Sequence, residues 1–580
     1  MAAALLTTVT SVASRTTATS VSSLTTAASV ATLPTSNSVA ALAMEHTCSG
    51  NVTPLWTVTG SLALVILALV VRTGSLAGLF GKLAALVRSP RAPSAASAPA
   101  EVPEALLLQE AYRAAGGPCV ALRGRQLLVT RLDVIHRVCH DHGLFPNRGL
   151  PKNEKANPLS LHLFSLEDKR WSVVRAVMSP AFTQAKLKAV FPLHATGTLQ
   201  NIVDSTIGDQ LYADVEIKDV MERFVTDDVG RTLFGVECRA LERPGNPMHA
   251  HCAEAFSNSA WWRRLRQRLM DVCPRVAVHI PYRNSTARFF QKIVRDLRTA
   301  REAKKSSHST LLDSMIQAEN EMEKADAAQG RMLRSVHAPQ MFATFRAGFE
   351  ATAPTLAFAL LELAHNQDVQ RRLQEELDLH AQQDGGDAGE AVFTAQSLAD
   401  MTYLDCVVKE TLRKYPPNAT LIRHASSRCT LPGTEGDEAV TVEEGTRLVV
   451  PVYAVHHDPA YFPEPEAFRP ERFLPAAESR GDSTVAPANL KAYLPFGLGR
   501  RHCVARRFAL QEVKMGLAAV LHRFHVSPCA ATPSLPPPFL AGRSIVLALK
   551  DHCTLRVSPR RPRGPEPSSP VSTVLNKSLP

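Results

Sequence analysis

The chain lacks paired cysteines: its eleven are scattered over 580 residues with none of the regular spacing of a disulfide framework. This argues against a disulfide-held fold and for a reducing compartment around the body of the chain. The chain also lacks a recognised nucleic-acid motif, and its basic residues are dispersed. The net charge of +11 therefore points to a solvated basic surface, or to one facing acidic lipid or an acidic protein, and no nucleic-acid partner is expected. Residues 1–46 lack any acid before Glu45 and hold Arg15 as their only Lys or Arg. Rich in Ala, Ser and Thr, they are compatible with a targeting segment or with low-complexity sequence, though targeting segments usually carry more arginine.

What is present starts with one apolar run. Leu55 to Val71 is seventeen uncharged, mostly apolar residues between Pro54 and Arg72. At about 1.5 Å per residue it falls just short of a bilayer core, and counting from Val52 reaches it. Read as a transmembrane anchor, it has Arg72, Lys82 and Arg88 on its C-terminal side, which places that side in the cytosol. The N-terminus is then lumenal, with Asn51-Val52-Thr53 as a glycosylation sequon. The expected organisation is a low-complexity segment 1–54, the anchor 55–71, a basic and Pro/Ala-rich linker 72–103, one large domain 104–558 and a disordered Pro/Arg/Ser-rich tail 559–580. Hydrophobic content of 45%, spread evenly through the body, supports a single large core.

Within that body the periodicity is mainly helical, with small β-sheets. Glu104 to Ala114 reads as a short helix, and Val120 to Leu122 with Gln126 to Val129 as a hairpin about Arg123-Gly124. Residues 190–330 are helical and poor in motifs; Trp261 to Arg268 there is a basic aromatic cluster, either a solvated helix face or a membrane contact. Pro339 suits the first turn of a long apolar helix. Val369, Leu373 and Leu377 mark the buried stripe of another. Ser397 is placed to cap the helix carrying Glu410-Thr411-Leu412-Arg413, which Pro416-Pro417 stops. Val440 to Val442 and Arg447 to Val452 read as a strand pair around Glu444-Gly445.

The chemistry concentrates in Phe496-Gly497-Leu498-Gly499-Arg500-Arg501-His502-Cys503-Val504-Ala505. Two glycines allow tight turns, two arginines set fixed charge beside one thiol, and a helix from Arg506 to His522 follows. Cationic neighbours and a helix N-terminus lower a thiol pKa, and the thiolate is the form that binds metal. The stretch resembles the heme-binding signature of the cytochromes P450, Phe-x-x-Gly-x-Arg-x-Cys, with Ala505 where the family usually has Gly. Further elements resemble the family in the expected order over roughly 103–560. They are Trp171-x-x-x-Arg175, the oxygen-binding segment Ala347-Gly348-Phe349-Glu350-Ala351-Thr352, Glu410-x-x-Arg413, and Phe468 to Phe473 with Arg472. Ala351 departs from the pattern, standing where the family has its first threonine.

The resemblance implies a membrane-anchored, eukaryotic-type P450 whose helical domain carries heme b on the Cys503 thiolate. Phe496, Gly499 and Arg501 would shape the heme loop, Trp171, Arg175 and Arg423 would reach the propionates, and Glu410, Arg413 and Arg472 would form a buried triad. Gly348 would leave room for a ligand above iron, with Glu350 and Thr352 handling protons. Pro354 is expected to kink the helix and free the Glu350 carbonyl, giving a hydrated groove with Thr352. The implied activity is monooxygenation of a lipophilic substrate, with sterol or fatty acid as the class and Phe345 and Phe349 as pocket residues. Electrons would come from an NADPH-dependent P450 reductase or a ferredoxin-type donor, steered by Arg500, Arg506 and Arg507. The implied location is the endoplasmic reticulum membrane with the heme domain in the cytosol, or else a mitochondrial or other organelle membrane. Two other readings remain: a hydroperoxide-rearranging isomerase or dehydratase, because of Ala351, and a non-catalytic heme or sterol-binding protein.

Overall fold

Helix dominates the chain, as its apolar periodicity dictates. The structure is a computed structural model that describes residues 103–560 except 116, 118, 123–124, 151, 155–156, 190–192, 257–283, 305–309, 384–392, 434–438, 476–487 and 541–545. The N-terminal segment, the apolar run 55–71, the linker as far as 102, the Trp261 to Arg268 cluster and the tail from 561 lie outside the described residues. Among the described residues no helix is long and apolar enough to cross a membrane.

The helices that build the site are α1 (Asp168–Met178), α2 (Ile217–Val229), α3 (Ala327–Ala347), α4 (Ala353–His365), α5 (Thr402–Lys414) and α6 (Arg506–Arg523). α3 and α4 are one long element joined by a single π turn, Gly348–Thr352. Twelve consecutive residues of α4, Ala353 to Ala364, are buried, so this half is apolar on all sides because it has protein on all sides. Pro339 does not open α3; it lies inside it. The helix starts twelve residues earlier, at Ala327, and is capped by Asp326, whose carboxylate accepts the N–H groups of Ala328 (2.8 Å) and Gln329 (3.3 Å). Pro354 falls in the first turn of α4, and the expected distortion is the π turn before it, where the Ala353 N–H reaches the Gly348 carbonyl.

The strands are β1 (Cys119–Ala121), β2 (Gln126–Val129), β3 (Ala213–Glu216), β4 (Leu421–His424), β5 (Cys429–Leu431), β6 (Val440–Val442), β7 (Arg447–Val450), β8 (Phe524–Ser527) and β9 (Thr554–Pro559). They form sheets ordered β1-β2-β7-β4, β3-β9-β8 and β5-β6. The first hairpin forms, with Cys119 opposite Val129. The expected pairing of Val440–Val442 with the strand from Arg447 does not: β6 pairs with β5, while β7 lies parallel to β2 and antiparallel to β4. A turn at Glu444-Gly445 thus carries the chain between two sheets. Ser397 is likewise not the cap of α5; it answers Thr394 in the capping box of the short helix Ala395–Asp400. The domain also runs past Ser558. β9 continues through Pro559, and Arg560 donates to the Asp378 carboxylate at 2.9 and 2.6 Å.

Candidate functional site

The loop before α6 is held from within. The Cys503 N–H donates to the Phe496 carbonyl (2.9 Å) and the Gly497 N–H to Leu494 (3.0 Å), closing a turn around the thiol. Gly497 and Gly499 sit at φ of +69° and +66°, where a side chain is strained. At Gly499 space decides as well, since an added Cβ would lie 2.0 Å from the Cys139 carbonyl oxygen. Phe496 is half-buried, with the Arg506 guanidinium 5.6 Å from its ring centre.

Arginines crowd this loop. Arg501 is buried and donates to the carbonyls of Pro146 (2.9 Å) and Leu166 (2.7 Å) and to Asn147 Oδ1 (2.6 Å), with its guanidinium 4.0 Å over the Trp171 ring. Arg175, one turn after Trp171 on α1, donates to the His502 carbonyl (2.9 Å). Arg423, on β4, donates to the carbonyls of Ile422 (2.9 Å) and Leu498 (3.1 Å). A fourth, Arg148, was not anticipated; it donates to Phe164 and Arg501 carbonyls, both at 3.0 Å. Nothing in its local spacing marks it, because the loop after Phe145 becomes interior only when it wraps against the cysteine loop. Burial pushes the pKa of Arg148 well down and that of Arg501 to about 10, with Arg423 adding to both.

The thiol answers this environment differently from the sequence expectation. Burial is the largest influence on Cys503 and raises its pKa, while the Ala505 N–H and Arg175, Arg148 and Arg506 oppose it. A half-buried thiol ringed by cations is poised to ionise on meeting a metal ion, since coordination deprotonates a thiol outright. The ring also holds an unanswered donor: Arg423 Nε is buried with no hydrogen-bond partner among the described residues. An anionic group lodged beside the thiol satisfies both conditions, and heme, with an iron centre and two propionates, fits them.

Across from the loop, Glu350 Oε1 accepts from Arg346 Nε (3.2 Å) and Nη2 (3.0 Å), an ion pair one helical turn long. Burial raises the Glu350 pKa and Arg346 holds it back. His162 is half-buried, with an enclosed Nδ1 unpartnered among the described residues and its pKa pushed to about 3 by burial, Arg346 and Arg148 adding to the shift. Gly348 faces α2 on its Cβ side, where an added Cβ would meet Val229 and Val225 at 3.0 and 3.1 Å. Thr352 is buried against Glu512 of α6, away from the Arg346–Glu350 pair. The two members of the expected groove therefore face different neighbours, as residues two apart on a helix do. Phe345 stacks on Phe234 (5.4 Å) and contacts Phe290 (6.1 Å), which places it in the packed core rather than in an open pocket; Phe349 lies beside His249 (5.5 Å).

Beneath the loop, Arg413 holds Glu410 by two contacts of 2.8 and 2.9 Å, and Arg472 Nε joins Glu410 Oε1 at 3.2 Å. All three are buried. The Arg469 N–H completes the acceptor set of Glu410 at 2.9 Å. His456, missed by sequence reading, links this triad to the loop. Its Nδ1 donates to the Arg413 carbonyl (3.0 Å), and its Nε2 accepts the Leu494 N–H (2.8 Å). Burial keeps it neutral, with a pKa pushed to about 3.

Comparison with known sequences decides what this arrangement belongs to. The Cytochrome P450 family matches residues 117–551. Probable cytochrome P450 6a18 of Drosophila melanogaster is 32% identical over 422 residues, 71% of this chain and 79% of that protein. The chain belongs to the cytochrome P450 family. Cytochrome P450 6a8 and cytochrome P450 6a2 of the same organism are 32% and 31% identical, covering 72% of this chain and 80% and 81% of their own lengths. This P450 is accordingly a heme-dependent monooxygenase, an oxidoreductase of a family that uses a cysteine thiolate as axial ligand, takes electrons from a redox partner and acts on hydrophobic substrates. None of these relatives' names specifies a substrate.

Proposed function

We propose that this P450 binds heme b through Cys503 and oxidises a lipophilic substrate, of sterol or fatty-acid class, drawn from the membrane that holds residues 55–71. The observation that carries the binding site is the buried Arg423 Nε, without a hydrogen-bond partner among the described residues, within the ring of Arg148, Arg175 and Arg501 around the thiol. Heme, when bound, supplies oxygen activation and oxidation of an unactivated carbon. Arg175 and Arg423 offer guanidinium groups to the propionates, while Arg501, fully engaged with carbonyls, fixes the loop. Phe496 and Gly499 shape the turn, and Trp171 supports Arg501 from below. Glu350, in the π turn, offers a carboxyl whose burial favours its protonated form, and its half-exposed partner Arg346 links that carboxyl to solvent.

Exposed Arg500, Arg506 and Arg507 present positive charge beside the loop to an NADPH-dependent reductase or ferredoxin-type donor. The anchor and its flanking bases favour the endoplasmic reticulum membrane with the domain on the cytosolic side. Deleting residues 1–88 should release the protein from membranes with its heme retained; a truncated protein that still sediments with membrane at high salt rules out the apolar run as the anchor. Substrate difference spectra against sterols and fatty acids test the substrate class. A shift with members of one series supports it, and silence across both rejects it. Ala351 favours a second reading, rearrangement of hydroperoxides. Product formed from a hydroperoxide without NADPH or reductase would select it; strict NADPH dependence would remove it.

A further inference from the structure

Two acids outside the expected site meet behind the π turn. Asp228, near the end of α2, and Glu512, in α6, are each 1% exposed. Asp228 Oδ1 accepts the Thr232 hydroxyl at 3.1 Å. Its Oδ2 and both oxygens of Glu512 are buried without a hydrogen-bond partner among the described residues. The Glu512 carboxyl lies beside Asp228 and Thr352, close enough to feel both but outside hydrogen-bond geometry. A cavity of about 10 Å³ lies against both groups, bounded by Asp228, Thr232, Gln511 and Glu512 with Leu187, Phe508 and Met515 as apolar walls. That is the room one water needs, and the polar lining gives such a water partners.

The charges around the pair are few. Among the described residues Asp227 is the one other charged group felt by Asp228, and its carboxylate already accepts the N–H groups of Ala240 (2.6 Å) and Leu241 (2.9 Å). Glu512 feels Asp228 and the Thr352 hydroxyl. Among the described residues no lysine, arginine or histidine acts on either acid. Two facing carboxylates in a low-dielectric interior without a cation cannot both ionise, whereas one proton turns repulsion into a charge-assisted hydrogen bond, direct or through one water.

We propose that Asp228 and Glu512 share one proton and act as a positioning pair, holding Thr352, and with it the π turn Gly348–Thr352, against the helix that follows Cys503. α2, the π turn and α6 pack on one another at this point. The polar anchor of the turn lies on its α6 side, which explains how the turn keeps its place with Ala351 lacking a hydroxyl.

The sign of the pH dependence follows from the two acids. Burial lifts Asp228 to about 7 and Glu512 well above the carboxylate range, the charge of Asp228 adding to the latter. Both folded values exceed the unfolded ones, so the native state binds more protons. The pair's contribution is fully present below about pH 4 and is lost as pH rises through 7 and beyond. Glu512→Gln keeps the shape, offers an amide donor to Asp228 and removes one titration. With the full chain and its heme, unfolding followed between about pH 5 and about pH 8 should show the variant gaining on wild type by up to about tenfold in folded-to-unfolded ratio per pH unit. Infrared spectra at neutral pH should show a protonated carboxylic acid in wild type that is lost in Glu512→Gln and shifted in frequency in Asp228→Asn, where burial still keeps Glu512 protonated but its partner acid is gone. Glu512→Ala, which can neither carry the proton nor donate, should lose the thiolate-type absorption of the reduced carbon monoxide complex that Glu512→Gln retains. Parallel pH curves, or an acid band unchanged in both amide variants, would overturn the shared proton. Equal retention of the thiolate absorption by the Ala and Gln variants would overturn the positioning role.

Discussion

The cysteine loop and the distal π turn are both short irregular stretches, each built around a glycine and a polar functional group, yet they are constrained in different ways. Gly499 has a left-handed backbone and a carbonyl 2.0 Å from where its Cβ would be, so backbone alone dictates the residue. Gly348 has an ordinary helical φ of −60°, and its would-be Cβ meets two valine side chains instead. Arg501 spends its donors on three fixed acceptors, whereas Glu350 has one guanidinium partner that is itself half-exposed. Constraint through the backbone permits few sequences and leaves a signature; constraint through side-chain packing permits many and leaves little.

The sharpest way to break this contrast is at the thiol. Cys503→Ala should abolish the thiolate-type absorption of the reduced carbon monoxide complex while the protein remains folded; an unchanged spectrum would reassign the ligand. Next in size is the triad under the loop. Glu410→Ala strands two buried guanidinium groups and should cost about 3–5 kcal/mol in denaturant unfolding, because an uncompensated buried charge outweighs a lost pair. The two glycines then test the comparison itself. Gly499→Ala should cost about 1–3 kcal/mol from backbone strain, more if the Cys139 carbonyl must move, and should lower heme retention. Gly348→Ala should cost less than about 1 kcal/mol, since the valines can give and alanine favours helix by a similar amount. Equal losses at both positions would erase the distinction.

The smallest effect belongs to the surface. Reversing Arg506 and Arg507 to Glu should slow reduction by an acidic donor by about tenfold at low salt and much less at high salt. Salt-independent rates would leave these arginines without a steering role. On the distal side, Glu350→Gln should raise peroxide release per NADPH consumed with heme content unchanged. Its effect should shrink toward alkaline pH, where the wild-type carboxyl, held above its usual range by burial, also loses its proton.

The sequence by itself determined the parts that local chemistry enforces. Positive φ at Gly497 and Gly499 needs glycine, an ion triad needs Glu410, Arg413 and Arg472 at helical and loop spacings, and the apolar periodicity of the body needs helices. Tertiary structure alone decided where non-local partners meet. A turn at Glu444-Gly445 hands the chain to a second sheet because β7 finds β2, more than 300 residues upstream, and local spacing cannot express that. Arg148 and His456 became interior only through loops closing over them. Thr352 turned to Glu512 because two residues along a helix is roughly half a turn, and the helix lying on that side was α6. Local backbone demands are written in neighbouring residues; burial and the company of charges depend on which distant segments pack together, and only the folded chain fixes that.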